Sequence, residues 1–319
     1  MPKIPNKTVE QYIMNTKLQG YFAGITAAVA YGTNPLGALF LYKEGFNPAS
    51  VIFYRFIFAV AILAVILLIQ KESFKITKLE FKVLSSLGAI FSASALTLYS
   101  SFNYMDSGIA STILFSYPVM VAVIMAVFFK EKSSFVVIAS IALSILGIVL
   151  LYQGEGGIKL STIGVILVLI SSLTYAVYIV IVNRTRINMN PFKMTFYIML
   201  IAAICVFMFS LFNPANNIIK IQTISSLCWL LFLGVVPTII AMTFLNIAIP
   251  KIGSTPTAIV GALEPVTAVV ISIFVFEGSL TLRLLVGIGL VLLSVILITL
   301  KDLPKLRKQI KLRKNMPLK

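Results

Sequence analysis

Five long intervals of this 319-residue chain carry no charge at all: Lys82 to Asp106, Asp106 to Lys130, Lys159 to Arg184, Lys193 to Lys220, and Lys220 to Lys251. As a helix, about 20 apolar residues cross a hydrocarbon layer of roughly 30 Å. Inside that layer the backbone must satisfy its own hydrogen bonds, and a helix does so within one segment. A soluble domain breaks such runs with charge, and here 59% of residues are hydrophobic and 11% charged. The chain therefore reads as an all-α integral membrane protein.

Ten transmembrane helices can be drawn, over about 18–42, 48–70, 79–103, 107–129, 133–152, 160–183, 191–212, 221–247, 253–276 and 279–300. Short turns rich in Gly, Pro and Asn separate them. The first apolar run, from Leu18 to about Tyr42, is too long for the core of a cleavable signal. Cytoplasmic segments retain Lys and Arg. With the N-terminus inside, those segments collect twenty-one basic residues and the outer loops four, leaving Arg55 within a span. Both termini are expected on the cytoplasmic side of the plasma membrane.

The net charge of +16 lies in short loops and in the tail Lys301–Lys319. It lacks the aromatic interleaving of a nucleic-acid surface, so anionic lipid rather than nucleic acid is the expected partner. Cys205 and Cys228 lie in apolar spans without metal or redox spacing, and histidine is absent. No cofactor or metal is expected.

The chain repeats itself. Tyr31 follows Gly20 by eleven residues, as Tyr175 follows Gly164. Asn47-Pro48 with Phe53-Tyr54 recurs as Asn190-Pro191 with Phe196-Tyr197. Pro118-Val119, Val123-Ile124 and Phe129 recur 147 residues on as Pro265-Val266, Val270-Ile271 and Phe276. Five spans per unit is an odd number, so the second unit sits upside down, as in secondary transporters with a midplane site. The expected domains are a cytoplasmic N-terminus 1–17, a first five-helix repeat 18–155, a second, inverted repeat 156–302 and a basic tail 303–319.

Glu264 lies about 17 Å into the ninth span, where a charge is costly and belongs against protein or water. Pro265 frees the carbonyl of Gly261, and Pro118 is its counterpart; both are hinge candidates. Polar residues on helical faces supply candidate solute-binding side chains: Tyr31, Asn34, Thr97, Tyr104, Ser116, Tyr117, Tyr175, Tyr178, Asn246 and Glu264. Each competes with a blander role. Serines and threonines of membrane helices bond their own i−4 carbonyl, tyrosines near span ends form interfacial belts, and Arg55 can snorkel outward or meet an anionic solute group.

Phe53-Tyr54-Arg55-Phe56, the segment Pro118 to Glu131, and Leu263-Glu264-Pro265-Val266 through Glu277 resemble the drug/metabolite transporter superfamily, specifically its EamA-type exporters. The similarity runs from about Leu18 to Leu300. The resemblance implies two five-helix repeats around a central cavity lined by spans 1, 3, 4, 6, 8 and 9, exporting amino acids or other small metabolites. The first repeat departs from the second, with Tyr117 where Glu264 stands.

The expected function is secondary transport of a small polar or amphipathic metabolite by alternating access, most simply export. Little fixed positive charge at the midplane suits neutral or zwitterionic solutes over phosphorylated ones. Proton-antiport drug efflux, with Glu264 exchanging protons, and a passive channel are the alternatives. A membrane enzyme would need a nucleophile–base pair or metal ligands at depth, which the chain lacks. The oligomeric state is expected to be monomer or homodimer.

Overall fold

The computed structural model describes residues 6–129, 135–152, 161–185, 189–252, 257, 260, 261, 263–276, 281–283, 285–294, 296 and 297. Every regular element among them is helical. In order they are α1 (Asn6–Gly32), α2 (Asn34–Lys43), α3 (Pro48–Ile69), α4 (Lys78–Ser101), α5 (Ser107–Leu114) and α6 (Tyr117–Phe128). There follow α7 (Phe135–Tyr152), α8 (Thr162–Thr185), α9 (Pro191–Phe212), α10 (Ile224–Gly234), a π-helical segment Val235–Ile240, α11 (Ala241–Ile252) and α12 (Leu263–Phe276). Among the described residues, six stretches are long and apolar enough to cross a membrane: Pro48–Ile69, Lys78–Ser101, Ser107–Phe128, Thr162–Val182, Pro191–Phe212 and Ile224–Leu245.

Helix starts follow from local chemistry. Asn47 accepts a hydrogen bond from the Ser50 amide at 2.8 Å ahead of Pro48, and Asn190 one from Phe192 at 3.0 Å ahead of Pro191. Proline at the first helical position loses only an N–H that had no helical partner. Thr77 and Glu80 form a capping box at α4, and Asp106 caps α5 through the amides of Gly108 and Ile109. Between α2 and α3 the chain turns at Gly45, whose φ of 88° favours glycine. The first helix begins at Asn6, ahead of the first apolar run.

The bundle is apolar outside and mixed inside. Leu68, Phe128, Phe212, Ile224 and Phe274 are exposed, whereas Arg55, Ser94, Thr112, Ser171, Ser172 and Thr238 are buried. A layer of lipid over the outer face reverses the usual surface logic. Helix pairs recur: α1 packs on α11 as α8 packs on α4, and α4 packs on α9 as α10 packs on α3. The central contacts are α3 with α9 and α5 with α12. Small polar side chains also cement α8 to α4 and to the α5/α6 junction. Ser171 donates to the Ser94 carbonyl at 2.8 Å, and the Ser116 and Ser172 hydroxyls meet at 3.0 Å.

Candidate solute-binding site

Three of the helical runs are broken at prolines, and each break is repaired in the same way. A proline leaves the carbonyl four residues earlier without its N–H, and in a membrane that oxygen must find another donor. For Pro35 it is the Tyr31 carbonyl, taken by Asn34 Nδ2 at 2.7 Å. For Pro118 it is Leu114, taken by Ser172 Oγ of α8 at 3.1 Å. For Pro237, within the π segment, it is Leu233, taken by Thr238 Oγ1 at 2.8 Å. Pro265 likewise removes the N–H that the Gly261 carbonyl would accept in a helix.

Two of these repairing side chains carry a second load. Asn34 and Thr238 have donated their protons to carbonyls and turn their oxygens toward Arg55. The guanidinium Nε donates to Thr238 Oγ1 and Nη1 to Asn34 Oδ1, both at 2.6 Å. Nη1 also donates to the Tyr99 hydroxyl at 2.6 Å, and Nη2 to the Pro237 carbonyl at 3.1 Å. Tyr99 in turn donates to Asn34 Oδ1 at 3.0 Å. Arg55 is only 3% exposed, so it points inward and does not snorkel. Among the described residues no carboxylate pairs with it.

Beside this node lies a column of rings. Phe115 meets Tyr117 edge-on at 5.5 Å, Tyr117 meets Tyr175 edge-on at 4.8 Å, and Tyr175 stacks on Tyr178 at 5.8 Å. Tyr178 continues to Phe91, and Phe91 to Phe56. Glu264 sits in the first turn of α12. It lies within electrostatic reach of the hydroxyls of Tyr31, Tyr117 and Tyr175, and Tyr31 also of Arg55. Gly32 permits this approach: a Cβ there would lie 2.6 Å from the Glu264 backbone oxygen. Tyr31, Tyr117, Tyr175 and Glu264 are each half-buried.

The structure thus gathers Tyr31, Asn34, Tyr117, Tyr175, Tyr178 and Glu264. Tyr31 additionally bonds the Met242 sulfur through its hydroxyl. Thr97 donates to its own helix, to Ala93 and Ser94 carbonyls, and Ser116 to the α5/α6–α8 seam. Tyr104 stands in the turn between α4 and α5, 47% exposed. The side chain of Asn246 lies outside the described residues. Pro118 is the second residue of α6, directly after the α5/α6 break, and Pro265 is buried in the first turn of α12. Tyr99 was not among the candidates. Its only sequence signal is the buried α4 stripe of Leu84, Leu87, Phe91 and Leu98, which a tyrosine near a span end does not obviously join.

Broken apolar helices around a core of tyrosines and two opposite charges define a polytopic membrane protein. Comparison with known proteins names the group: the EamA-like transporter family matches residues 18–153 and again 162–300. The chain belongs to that family, within the drug/metabolite transporter superfamily. It is 23% identical over 262 residues to an uncharacterized transporter of Archaeoglobus fulgidus, covering 80% of this chain and 90% of that protein. It is also 23% identical to the uncharacterized transporter YyaM of Bacillus subtilis, covering 79% and 84%. A solved crystal structure shares the fold with a TM-score of 0.64 at 16% identity, over 89% of this chain and 97% of that one.

Proposed function

We propose that this protein is a secondary transporter that moves a small polar or amphipathic metabolite out of the cell by alternating access. Ten transmembrane helices form two inverted five-helix repeats around the tyrosine-lined space. The observation that carries the reading is the enclosed group of Tyr31, Tyr117, Tyr175 and Glu264 beside three proline breaks. Non-helical backbone at membrane depth is tolerated where it lines a cavity, and such breaks flank transporter sites. Two successive matches to one family support the duplication. So does the helix pairing, in which α1 on α11 has its counterpart in α8 on α4. The distribution of basic residues supports both termini on the cytoplasmic side of the plasma membrane.

Purified protein in proteoliposomes, preloaded with amino acids, nucleosides or sugars, tests this. Saturable counterflow of at least one solute is expected. Flux that rises linearly with concentration would mean a channel, and no flux for any solute would sink the transport reading. A pH gradient across the same vesicles reads whether Glu264 also carries a coupling proton. Topology is checked in intact cells, where a cysteine at Asn216 should label from outside and one at Ser73 should not.

A further inference from the structure

The helices fall into two groups that meet along two seams. α1, α2, α10, α11 and α12 pack among themselves, with α3 against α10; α4, α5, α6 and α8 do the same, with α9 against α4. The seams are α3 with α9 and α5 with α12. They are fastened differently.

The α3–α9 seam is sewn at both ends. At one end Asn47 Nδ2 donates to the Asn217 carbonyl and the Ile219 amide donates to Ser50 Oγ, both at 2.8 Å. At the other, Lys193 Nζ donates to the Lys75 carbonyl at 2.8 Å and the Tyr197 hydroxyl to the Phe74 carbonyl. Each strap ties the loop after one helix to the start of the other. The repeat explains the pairing, since Asn47 and Ser50 stand at the start of α3 as Asn190 and Lys193 stand at the start of α9. Lys193 is buried, which shields its bond from water. Neither helix carries a proline beyond its first residue.

At the α5–α12 seam the backbones touch at Gly108, where a Cβ would lie 3.0 Å from Val269 Cα and 3.2 Å from Ser272 Cβ. The buried Ser272 hydroxyl donates across the seam to Asp106 Oδ2. The other oxygen of that carboxylate caps α5 through Gly108 and Ile109. This bond lies on the face of the Asn47–Asn217 strap, because Lys43, at the end of α2, reaches the Phe276 ring at the end of α12. Away from that face α5 stops at Leu114, and α6 packs on α8 and α7. Both sides of this seam carry a repeat-related proline, Pro118 after the α5/α6 break and Pro265 in the first turn of α12.

We propose that α3–α9 is the fixed axle of this protein, that α5 and α12 are its moving gate, and that the Ser272–Asp106 bond is the latch holding the gate shut on the Asp106 face. This rests on the transport reading and gives it its moving parts. A helix strapped to its partner at both ends cannot tilt away without breaking a strap. The gate helices instead bend at prolines, where a helix kinks most readily. The Leu114 carbonyl freed at Pro118 already has the Ser172 hydroxyl as donor, so bending there sacrifices no further helical bond. The latch is reversible, since Asp106 keeps both capping amides whether or not Ser272 holds it.

The test reads distances by double electron–electron resonance in lipid nanodiscs, on the full chain with Cys205→Ala and Cys228→Ala. Spin labels at Tyr104 and Phe274, both exposed, span the gate. Labels at Ile69 with Phe192, and at Tyr54 with Phe212, span the two ends of the axle. Ser272→Ala removes the latch and leaves the Asp106 cap; it should raise the ratio of long to short gate distances by about five-fold or more. Gly108→Leu wedges the backbones apart and should make the long distance dominant. Both axle pairs should keep one distance in all three proteins. If Gly108→Leu does not fold, Ser272→Ala decides alone.

Gate distances that ignore the loss of the latch would overturn the proposal, and so would axle distances that shift along with the gate. Counterflow in proteoliposomes separates this from the transport reading. Solute exchange with a static gate pair would remove the gate and leave the transporter. A gate that opens as expected in a protein that exchanges no solute would leave the gate and remove the transporter.

Discussion

Two charged side chains in this molecule hold distant helices together, one in the middle of the bundle and one at its end. Arg55, on α3, gathers α2, α4 and the π segment through neutral oxygens and is almost wholly buried. Glu44, just past α2, gathers the start of α10. It accepts from Ser225 Oγ at 2.6 Å, from Ser226 Oγ, and from Thr223 Oγ1 at 3.2 Å, in an exposed position. The bond types and their number are similar. The surroundings differ, and a hydrogen bond to an ion is strong where water is absent and weak where water competes. Burial therefore makes Arg55 a structural node, whereas Glu44 is a clasp whose strength follows the solution around it.

The largest effect expected is at the node. Arg55→Met removes the guanidinium while keeping much of the stem. The Asn34, Tyr99 and Pro237 oxygens lose a charged donor in a dry interior. Stability should fall by about 3 kcal/mol, given roughly 1–3 for each buried group left unsatisfied. Thermal unfolding in detergent measures it. A melting temperature unchanged from wild type would show that water already reaches the node, and the contrast with Glu44 would collapse.

Tyr99→Phe makes a smaller cut in the same place. It deletes one hydroxyl that both accepts from Arg55 and donates to Asn34. A loss of about 1.5–2 kcal/mol is expected, the lower end for a single buried bond to a charged group. Combined with Arg55→Met, the two losses should fall short of additivity, because they remove one shared interaction.

The smallest effect belongs to the clasp, and it depends on pH. Hydrogen bonds from Ser225 first, then Ser226 and Thr223, hold the Glu44 carboxyl below the ordinary carboxylate range. A carboxyl depressed in the folded state contributes stability above its unfolded value and loses it as pH falls through the folded one. Melting temperature followed from neutral pH down through the carboxylate range should show a small Glu44-dependent decline, absent in Glu44→Gln. At neutral pH that variant should sit slightly below wild type. A pH profile identical in the two would mean the clasp contributes nothing in solution.

Local sequence carried much of the architecture. Pro48–Ile69 and Pro191–Phe212 begin at the Asn-Pro pairs that mark them in the sequence, because a capping side chain followed by proline is a local event. The Pro118 break is equally local. Its repair is not, since Ser172, which takes the Leu114 carbonyl, is 58 residues away. The column Tyr117–Tyr175–Tyr178 was half legible: i and i+3 spacing puts Tyr175 and Tyr178 on one face of α8, but only packing of α6 on α8 adds Tyr117. Thr97 and Ser116 show the limit of pattern reading, since a hydroxyl on a polar face can serve its own helix or a neighbour equally well.

The sequence by itself determined that this chain lies in a membrane, roughly where its helices begin and end, and to which family it belongs. Each of those follows from runs, caps and motifs within a few residues of one another. Tertiary structure decided what the deep polar residues do. Arg55 was free, by sequence, to snorkel or to turn inward, and the choice depended on Asn34, Tyr99 and Thr238 arriving from three other segments. Thr238 and Tyr99 stand 183 and 44 residues from Arg55 along the chain. A buried charge takes its meaning from the groups around it, and those groups meet only when the bundle closes.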